Sequence, residues 1–229
     1  MRATCLATAL LLAGAAHAAE PAWPELPLPD GARAEMVTPD SVMNGRHSRI
    51  LRARLPGSVD DALAFYREKF GRQRVENPLR DAKVIAKRQG AFFNTVQLRE
   101  RGAGSVEATL ISTMVEGPAE LSRAMQDTRR LLPADSTLMN SMESRDGERR
   151  SVMLTALNSA DLQTNRDELV RGLRQRGLTV SREERGTVAD KGRSLTLWAE
   201  GAQEEATLSV IEGGGYSLLV INRVREIKP

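Results

Sequence analysis

The side chains best suited to binding chemistry lie close together in one strand-like stretch of the sequence. They are Arg46, His47, Arg49, Arg52 and Arg54. Cationic side chains grouped in this way attract anionic groups. They are therefore candidate binding residues for an envelope protein or for an anionic envelope component, such as lipid head groups or cell-wall polymers. The alternative is a strand edge whose charges prevent pairing with other strands.

Few residues suit catalytic chemistry. His47 is the one histidine left once a leader containing His17 is removed, and it has no cysteine or second histidine with which to form a zinc site. A serine triad would have to use His47, but the sequence has no Gly-x-Ser-x-Gly motif to supply the nucleophile. We therefore expect no catalytic residue, no metal, no cofactor and no enzymatic activity.

Two glycine-rich stretches and three acidic pairs have simpler interpretations. Residues 102–104 and 213–215 lie between strand-like runs, where glycine is typical of hairpin turns, and neither leads into the helix of a phosphate-binding loop. The acidic pairs are Asp60-Asp61, Glu183-Glu184 and Glu204-Glu205. Because adjacent residues of a strand point to opposite faces and the spacing of a calcium loop is absent, we expect solvated charges there.

The first eighteen residues have the pattern of a secretory signal peptide. A positive start at Arg2 precedes an apolar run over residues 6–16, and Ala16-His17-Ala18 is typical of a cleavage site. The run is too short to span a bilayer, and no later segment is long and apolar enough to do so. Cys5, the single cysteine, lies in this leader, so we expect a cysteine-free periplasmic protein; full secretion stays open.

Composition argues against nucleic acid as a partner. Lysine and arginine total 33, aspartate and glutamate total 30, and only 3% of the residues are aromatic. The two signs of charge are interspersed along the chain, whereas nucleic-acid binding usually uses clustered basic residues with stacking aromatics.

Helical periodicity indicates three helices. Ser58 caps the first, Asp61 completes a capping pattern, and Gly71 ends it. A second helix is predicted from Ala160 to Arg176, and a linking helix over residues 118–132. The apolar positions expected to face the core in the first two helices are Val59, Ala62, Leu63, Tyr66, Phe70, Leu162, Leu169, Val170 and Leu173.

Similar segments recur about a hundred residues apart in the same order. Residues 48–55 resemble residues 151–157, and residues 102–110 resemble residues 201–208. This pattern predicts an α+β fold of two tandem similar modules, each an antiparallel sheet covered by one main helix and joined by a linking helix. The expected organisation is a signal peptide (1–18), an extended proline-rich lead-in (19–30), a first module (31–117), a linking helix (118–132) and a second module (133–229).

Residues 57–69, with the adjacent pair Phe65-Tyr66, resemble a pattern found in small exported bacterial domains of unknown function. In those domains a Phe-Tyr pair sits on a helix packed over a sheet. The second half of this chain has Leu169-Val170 at the corresponding place. The resemblance implies an envelope-associated helix-on-sheet module and assigns no catalytic residue.

These observations favour a non-catalytic periplasmic binding or envelope-assembly factor, whose sheet surfaces or edges bind a partner by strand addition. The alternative is an enzyme or small-ligand carrier with a charged pocket between the modules. A purely structural protein without a ligand is a third possibility.

Overall fold

The computed structural model describes residues 22–102, 104–188 and 192–227. The predicted signal peptide lies outside these residues. The described part of the chain forms twelve strands and three α-helices. The strands are β1 (Arg33–Met43), β2 (Arg46–Pro56), β3 (Arg74–Pro78), β4 (Lys83–Gln89), β5 (Phe92–Glu100), β6 (Ser105–Met114), β7 (Thr137–Asp146), β8 (Arg149–Asn158), β9 (Thr179–Val188), β10 (Gly192–Glu200), β11 (Glu204–Gly213) and β12 (Tyr216–Glu226). The helices are α1 (Val59–Phe70), α2 (Arg123–Arg129) and α3 (Leu162–Arg174), and a 3-10 turn (Gly71–Gln73) follows α1.

Local signals in the sequence set the ends of α1. The Ser58 hydroxyl accepts from the Asp61 amide, and the Asp61 carboxylate accepts from the Ser58 amide, which completes a capping box. This hydrogen bonding lowers the pKa of the Asp61 carboxyl. Gly71 caps the other end with a φ of 65°. The predicted first helix is thus confirmed, and its apolar side is buried against β4 and β5.

The other two helices differ in how well the sequence predicted them. In α3, Asp161 caps the N-terminus and all four predicted apolar residues are buried. The predicted linking helix over residues 118–132 is much shorter, because regular helix covers only Arg123–Arg129. Met125 and Thr128 on its inner side are buried against the sheet.

The predicted fold class is wrong. Instead of two α+β modules, each with its own sheet and covering helix, the twelve strands form one antiparallel sheet, and the fold is dominated by that sheet. Its strand order is β3-β4-β5-β6-β2-β1-β7-β8-β12-β11-β10-β9. The two halves follow the same path outward from the centre, but they are parts of a single sheet. The predicted boundaries between segments stay a prediction.

The pairing of β1 with β7 is what joins the halves. Residues 41–43 of β1 pair with residues 142–144 of β7. The contact continues at the β1–β2 turn, where Asn44 donates its amide to the Ser141 carbonyl and accepts the Ser141 amide on its side chain, both at 2.8 Å. Separate modules would each leave an innermost strand with unpaired amides. The pairing satisfies those groups at residues 41–43 and 142–144. The hydrophobic periodicity within each half does not reveal this pairing.

All three helices pack on the same face of the sheet. Cross-strand partners point to the same side of a sheet. Val42 of β1 lies opposite His47 of β2 and also opposite Glu143 of β7, and Glu143 in turn lies opposite Val152 of β8. These four side chains therefore share one face. The face of β2 that includes His47 also includes the core residues under α1, and Val152 packs against α2. We call this the helix face and the other the open face. None of the described helices is long and apolar enough to cross a membrane.

Candidate functional site

The five predicted binding residues do not form one patch. All lie on β2, where successive side chains point to opposite faces. His47 and Arg49 lie on the helix face, whereas Arg52 and Arg54 lie on the open face. Counting residues along the chain does not show this division between two faces, and the binding role of the five residues stays a prediction.

Three of the five are engaged in local contacts. Arg46 donates to the Gly117 carbonyl at 3.2 Å. The His47 Nδ1 atom lies 3.3 Å from a carboxylate oxygen of Asp40. Arg49 stacks over the Trp23 ring at 4.6 Å from its centre and donates from Nε to the Pro39 carbonyl at 3.0 Å. The Arg49 contacts hold Trp23 of the lead-in and Pro39 of β1 against β2, and the Arg46 contact holds the segment that follows β6.

The remaining two, Arg52 and Arg54, line a cleft of about 340 Å³. We call it the β1 cleft. Its walls come from β1, β2 and the β5–β6 hairpin, and its lining is Arg33, Ala34, Glu35, Arg52, Ala53, Arg54, Arg101 and Glu107. The cleft therefore has four arginines and two glutamates, an excess of two positive charges.

The acids of the β1 cleft are already paired. Glu35 lies opposite Arg52 and 3.7 Å from its guanidinium. Glu107 forms an ion pair with Arg101. Arg33 lies directly opposite Arg54, and neither forms an ion pair with a described residue. Like charges placed opposite one another on neighbouring strands repel, so an incoming anion would be stabilised between them.

The β1 cleft adjoins a free strand edge. Residues 33–36 of β1 pair with β2 on one side. On the other side, β1 pairs with β7 only at residues 41–43, so no strand of the described chain pairs with residues 33–36 there. Their outward amides and carbonyls can accept a further strand.

The outer edges of the sheet are better protected. The edge strand β3 has only five residues and ends at Pro78, which lacks an amide donor. The other edge strand, β9, contains a run of four charged residues, Arg182, Glu183, Glu184 and Arg185, and charged side chains on an edge strand discourage pairing. On the inner side of β7, Asn44 bonds to Ser141, and no described strand pairs with residues 137–140 there. Among the described strands, the start of β1 is the free edge that lies beside the arginines of the β1 cleft.

Side chains along the free edge alternate in chemistry. Arg33 and Glu35 point to the open face, into the β1 cleft, as their cross-strand partners Arg54 and Arg52 do. Ala34 and Met36 point to the helix face, and Met36 is 52% exposed. A strand added here would meet Arg33 and Glu35, backed by Arg54 and Arg52, on one face and apolar side chains on the other.

Sequence reasoning missed Arg33, Glu35, Arg101 and Glu107. The alternation of charged and small residues over 33–36 is a visible strand signal, but the cross-strand register that gathers these side chains is not visible locally.

The hairpin prediction for residues 213–215 is confirmed, because Gly214 and Gly215 have φ values of 64° and 84° in the β11–β12 turn.

Two residues of the acidic pairs, Glu183 and Glu204, are less solvated than expected. Asp61 caps α1, and the Glu204 side chain, 15% exposed, forms an ion pair with Arg223 at 2.5 Å. Glu183 binds Arg166 and Arg185, and hydrogen bonding by the Arg166 guanidinium lowers the pKa of the Glu183 carboxyl. The prediction of solvated charges is therefore wrong for Glu183 and Glu204, whose side chains are 25% and 15% exposed, whereas Asp61 is exposed as predicted.

The largest carboxyl pKa shift belongs to a structural ion pair away from the β1 cleft. Hydrogen bonds from Arg67 and Arg74 lower the pKa of Glu76 to about 2. The ion pair between Arg67 and Glu76, at 2.7 Å, connects α1 to β3.

Within residues 22–102, 104–188 and 192–227, no group of three or more His, Cys, Asp or Glu side chains is arranged to hold a metal ion.

Comparison with protein-family models, with curated proteins and with solved structures finds no match to this chain. The resemblance of residues 57–69 to small exported bacterial domains stays a prediction. In the structure Tyr66 is fully buried, and Phe65 meets it edge-on with ring centres 5.1 Å apart. The aromatic pair therefore serves the core under α1.

Proposed function

We propose that this chain is an exported, non-catalytic binding protein of the bacterial envelope, which holds an extended acidic segment of another protein against β1. The observation that carries the proposal is the free edge at residues 33–36 beside the β1 cleft. Export is supported by the signal-peptide pattern of residues 1–18.

Backbone hydrogen bonds would supply affinity. Unpaired amides and carbonyls on a strand edge bind an extended peptide by adding it to the sheet. Four consecutive residues of β1, from Arg33 to Met36, have one side free in this way within the described chain. Because side chains of an added strand also alternate, its sequence has to match both faces of the edge.

Side-chain chemistry would supply specificity. On the open face, the partner's residues would lie beside Arg33 and within reach of Arg54, which favours glutamate or aspartate. On the helix face they would lie beside Ala34 and Met36, which favours valine or another apolar residue. The partner we infer is therefore an extended segment with alternating acidic and apolar residues.

A small-ligand carrier is the second candidate, because a cleft of about 340 Å³ is large enough for a small anionic molecule. The two candidates differ in the role of the backbone. Strand addition needs the peptide's amides on one side only, whereas a small ligand would be held by the arginines alone.

The test uses a fluorescent, acetylated hexapeptide of alternating glutamate and valine, with binding measured by fluorescence anisotropy at several salt concentrations. Reversing two cleft charges (Arg33→Glu with Arg54→Glu) should weaken binding at least about tenfold, because attraction to the partner becomes repulsion. Arg72→Glu with Arg80→Glu is the matched control, since both residues are exposed and lie outside the cleft. It changes net charge equally and should alter affinity less than about twofold.

Two N-methylated peptides separate the candidates. Alternate amides of a strand face the same neighbour, so methylation of one alternate set should abolish binding and methylation of the other should leave it intact. Equal binding of both peptides, or equal loss in the cleft and control variants, would refute strand addition at β1. Competition by free glutamate together with equal binding of both peptides would identify a small-ligand carrier instead.

A further inference from the structure

A second group of arginines lies on the helix face, on the other side of the sheet from the β1 cleft. The registers place Arg145 opposite Arg150 and Arg150 opposite Arg225, on three neighbouring strands. Val152, the next residue on the same face of β8, packs against α2. Like charges directly opposite one another destabilise a sheet, so an anion bound beside this row of three arginines would be stabilised.

The nearby acids only partly compensate this row. Glu143 is buried, and one of its oxygens lies 3.1 Å from Arg150 Nε while the other accepts from Ser122. Glu204 pairs with Arg223 at 2.5 Å. Neither Arg145 nor Arg225 has an ion pair with a described residue.

A pocket of about 120 Å³ opens between this row and α2. We call it the α2 pocket; its lining is Arg123, Ala124, Asp127, Thr128, Arg150, Val152, Arg223 and Arg225. The one acid in this lining, Asp127, forms an ion pair with Arg130 at 2.9 Å. The volume is well above the roughly 10–15 Å³ that a single water needs, so the pocket has room for a small anion.

The surroundings of the α2 pocket are also positive. Arg223 donates from Nη1 to the Thr128 hydroxyl at 3.1 Å, so its guanidinium is fixed beneath α2. Arg176 donates to the Asp127 carbonyl at 3.3 Å. Burial, and next the charge of Arg223, lower the pKa of Arg176. Arginine guanidinium groups present several N–H donors in a fixed fork that matches phosphate oxygens.

We propose that the α2 pocket binds a phosphate group through Arg123, Arg150 and Arg225. The phosphate is either free inorganic phosphate or the headgroup of an acidic lipid, because both present the same tetrahedral oxyanion. This site does not depend on strand addition at β1, since the two lie on opposite faces and share no residue.

The test measures binding of inorganic phosphate to the full chain by isothermal titration calorimetry at low ionic strength. Arg123→Gln and Arg225→Gln should each weaken phosphate binding about tenfold, because each removes a guanidinium from the pocket. Arg129→Gln is the matched control: it lies on the same helix, is exposed and is outside the pocket. Arg123 is also exposed, so its replacement leaves the core intact.

A second arm identifies the source of the phosphate. Co-sedimentation with phosphatidylcholine vesicles containing phosphatidic acid, lost in Arg225→Gln but not in Arg129→Gln, would show a lipid headgroup. Phosphate binding without vesicle binding would show the free anion. The proposal is overturned if the chain binds neither probe, or if Arg129→Gln weakens binding as much as the two pocket variants do.

Discussion

Tyr66 shows at the scale of one residue how the core under α1 tolerates a polar group. Its side chain is fully buried between Phe65 and Phe70. The hydroxyl has no hydrogen-bond partner among the described residues. Burial raises the pKa of the phenol, because the charged phenolate cannot be solvated there. A buried, unpaired hydroxyl costs free energy that a hydrocarbon ring would not.

We expect Tyr66→Phe to raise the free energy of unfolding by about 1 kcal/mol at neutral pH. The pKa of Tyr66 in the folded state lies above its value of 10.0 in the unfolded state. Above pH 10 the phenol therefore ionises in the unfolded wild-type chain but not in the folded one, which lowers the free energy of unfolding of the wild type. The variant should therefore gain further relative stability as the pH rises above 10. Urea denaturation at several pH values measures both effects. A loss of more than about 1 kcal/mol in the variant would show that the hydroxyl has a partner.

At the scale of elements, the β1–β2 turn holds the two halves of the sheet together. Asn44 and Gly45 both have positive φ values, 49° and 77°, as a two-residue hairpin turn requires. Asn44 bonds to Ser141 of β7, and the Gly45 carbonyl accepts from the Glu120 amide at 3.0 Å. The turn therefore contacts both β7 and the segment that leads into α2.

Gly45→Ala should destabilise the protein more than Gly90→Ala does. Both glycines have positive φ, so both substitutions strain the backbone. A Cβ at Gly45 would lie 2.7 Å from the Glu120 nitrogen, whereas one at Gly90 would have nothing within 4 Å. We expect an additional loss of about 1–3 kcal/mol at Gly45, measured by urea denaturation. Equal losses would mean that the contact with Glu120 does not constrain the turn.

The elements that were predicted correctly from the sequence are those that depend on residues close together in the chain. The capping box of α1, the apolar side of α3 and the glycine turn between β11 and β12 each involve residues close together in the chain. The contact between Asn44 and Ser141 joins residues 97 positions apart, and no local periodicity encodes such a pairing. The same limit explains why only part of the β1 cleft was predicted. Arg52 and Arg54 were identified from their own strand, whereas identifying Arg33 and Arg101 required the register of neighbouring strands.

At the scale of the whole molecule, one sheet connects three hydrophobic clusters. One lies under α1, one under α3, and a third under α2 includes Val42 of β1 together with Val152 and Leu154 of β8. Because the third cluster draws side chains from both sides of the β1–β7 pairing, we infer that the halves are energetically coupled. A continuous sheet with a shared cluster should unfold as one unit.

The two tryptophans report on the two halves separately. Trp23 packs on Phe92 of β5 at 4.9 Å between ring centres, and Trp198 lies on β10. In Trp23→Phe and in Trp198→Phe, the fluorescence of the remaining tryptophan should give the same urea midpoint as far-ultraviolet circular dichroism, which reports on the whole sheet. Midpoints that differ between the two probes within either variant would show that the halves unfold independently.

Hydrogen–deuterium exchange of the β1 amides, with and without the alternating glutamate–valine hexapeptide, tests the proposed binding mode most directly. Strand addition predicts that the alternate amides of residues 33–36 that face away from β2 exchange quickly in the free protein and become protected when the peptide binds, while β3 and β9 are unchanged. Protection that appears on another edge, or peptide binding that leaves residues 33–36 unprotected, would contradict the account.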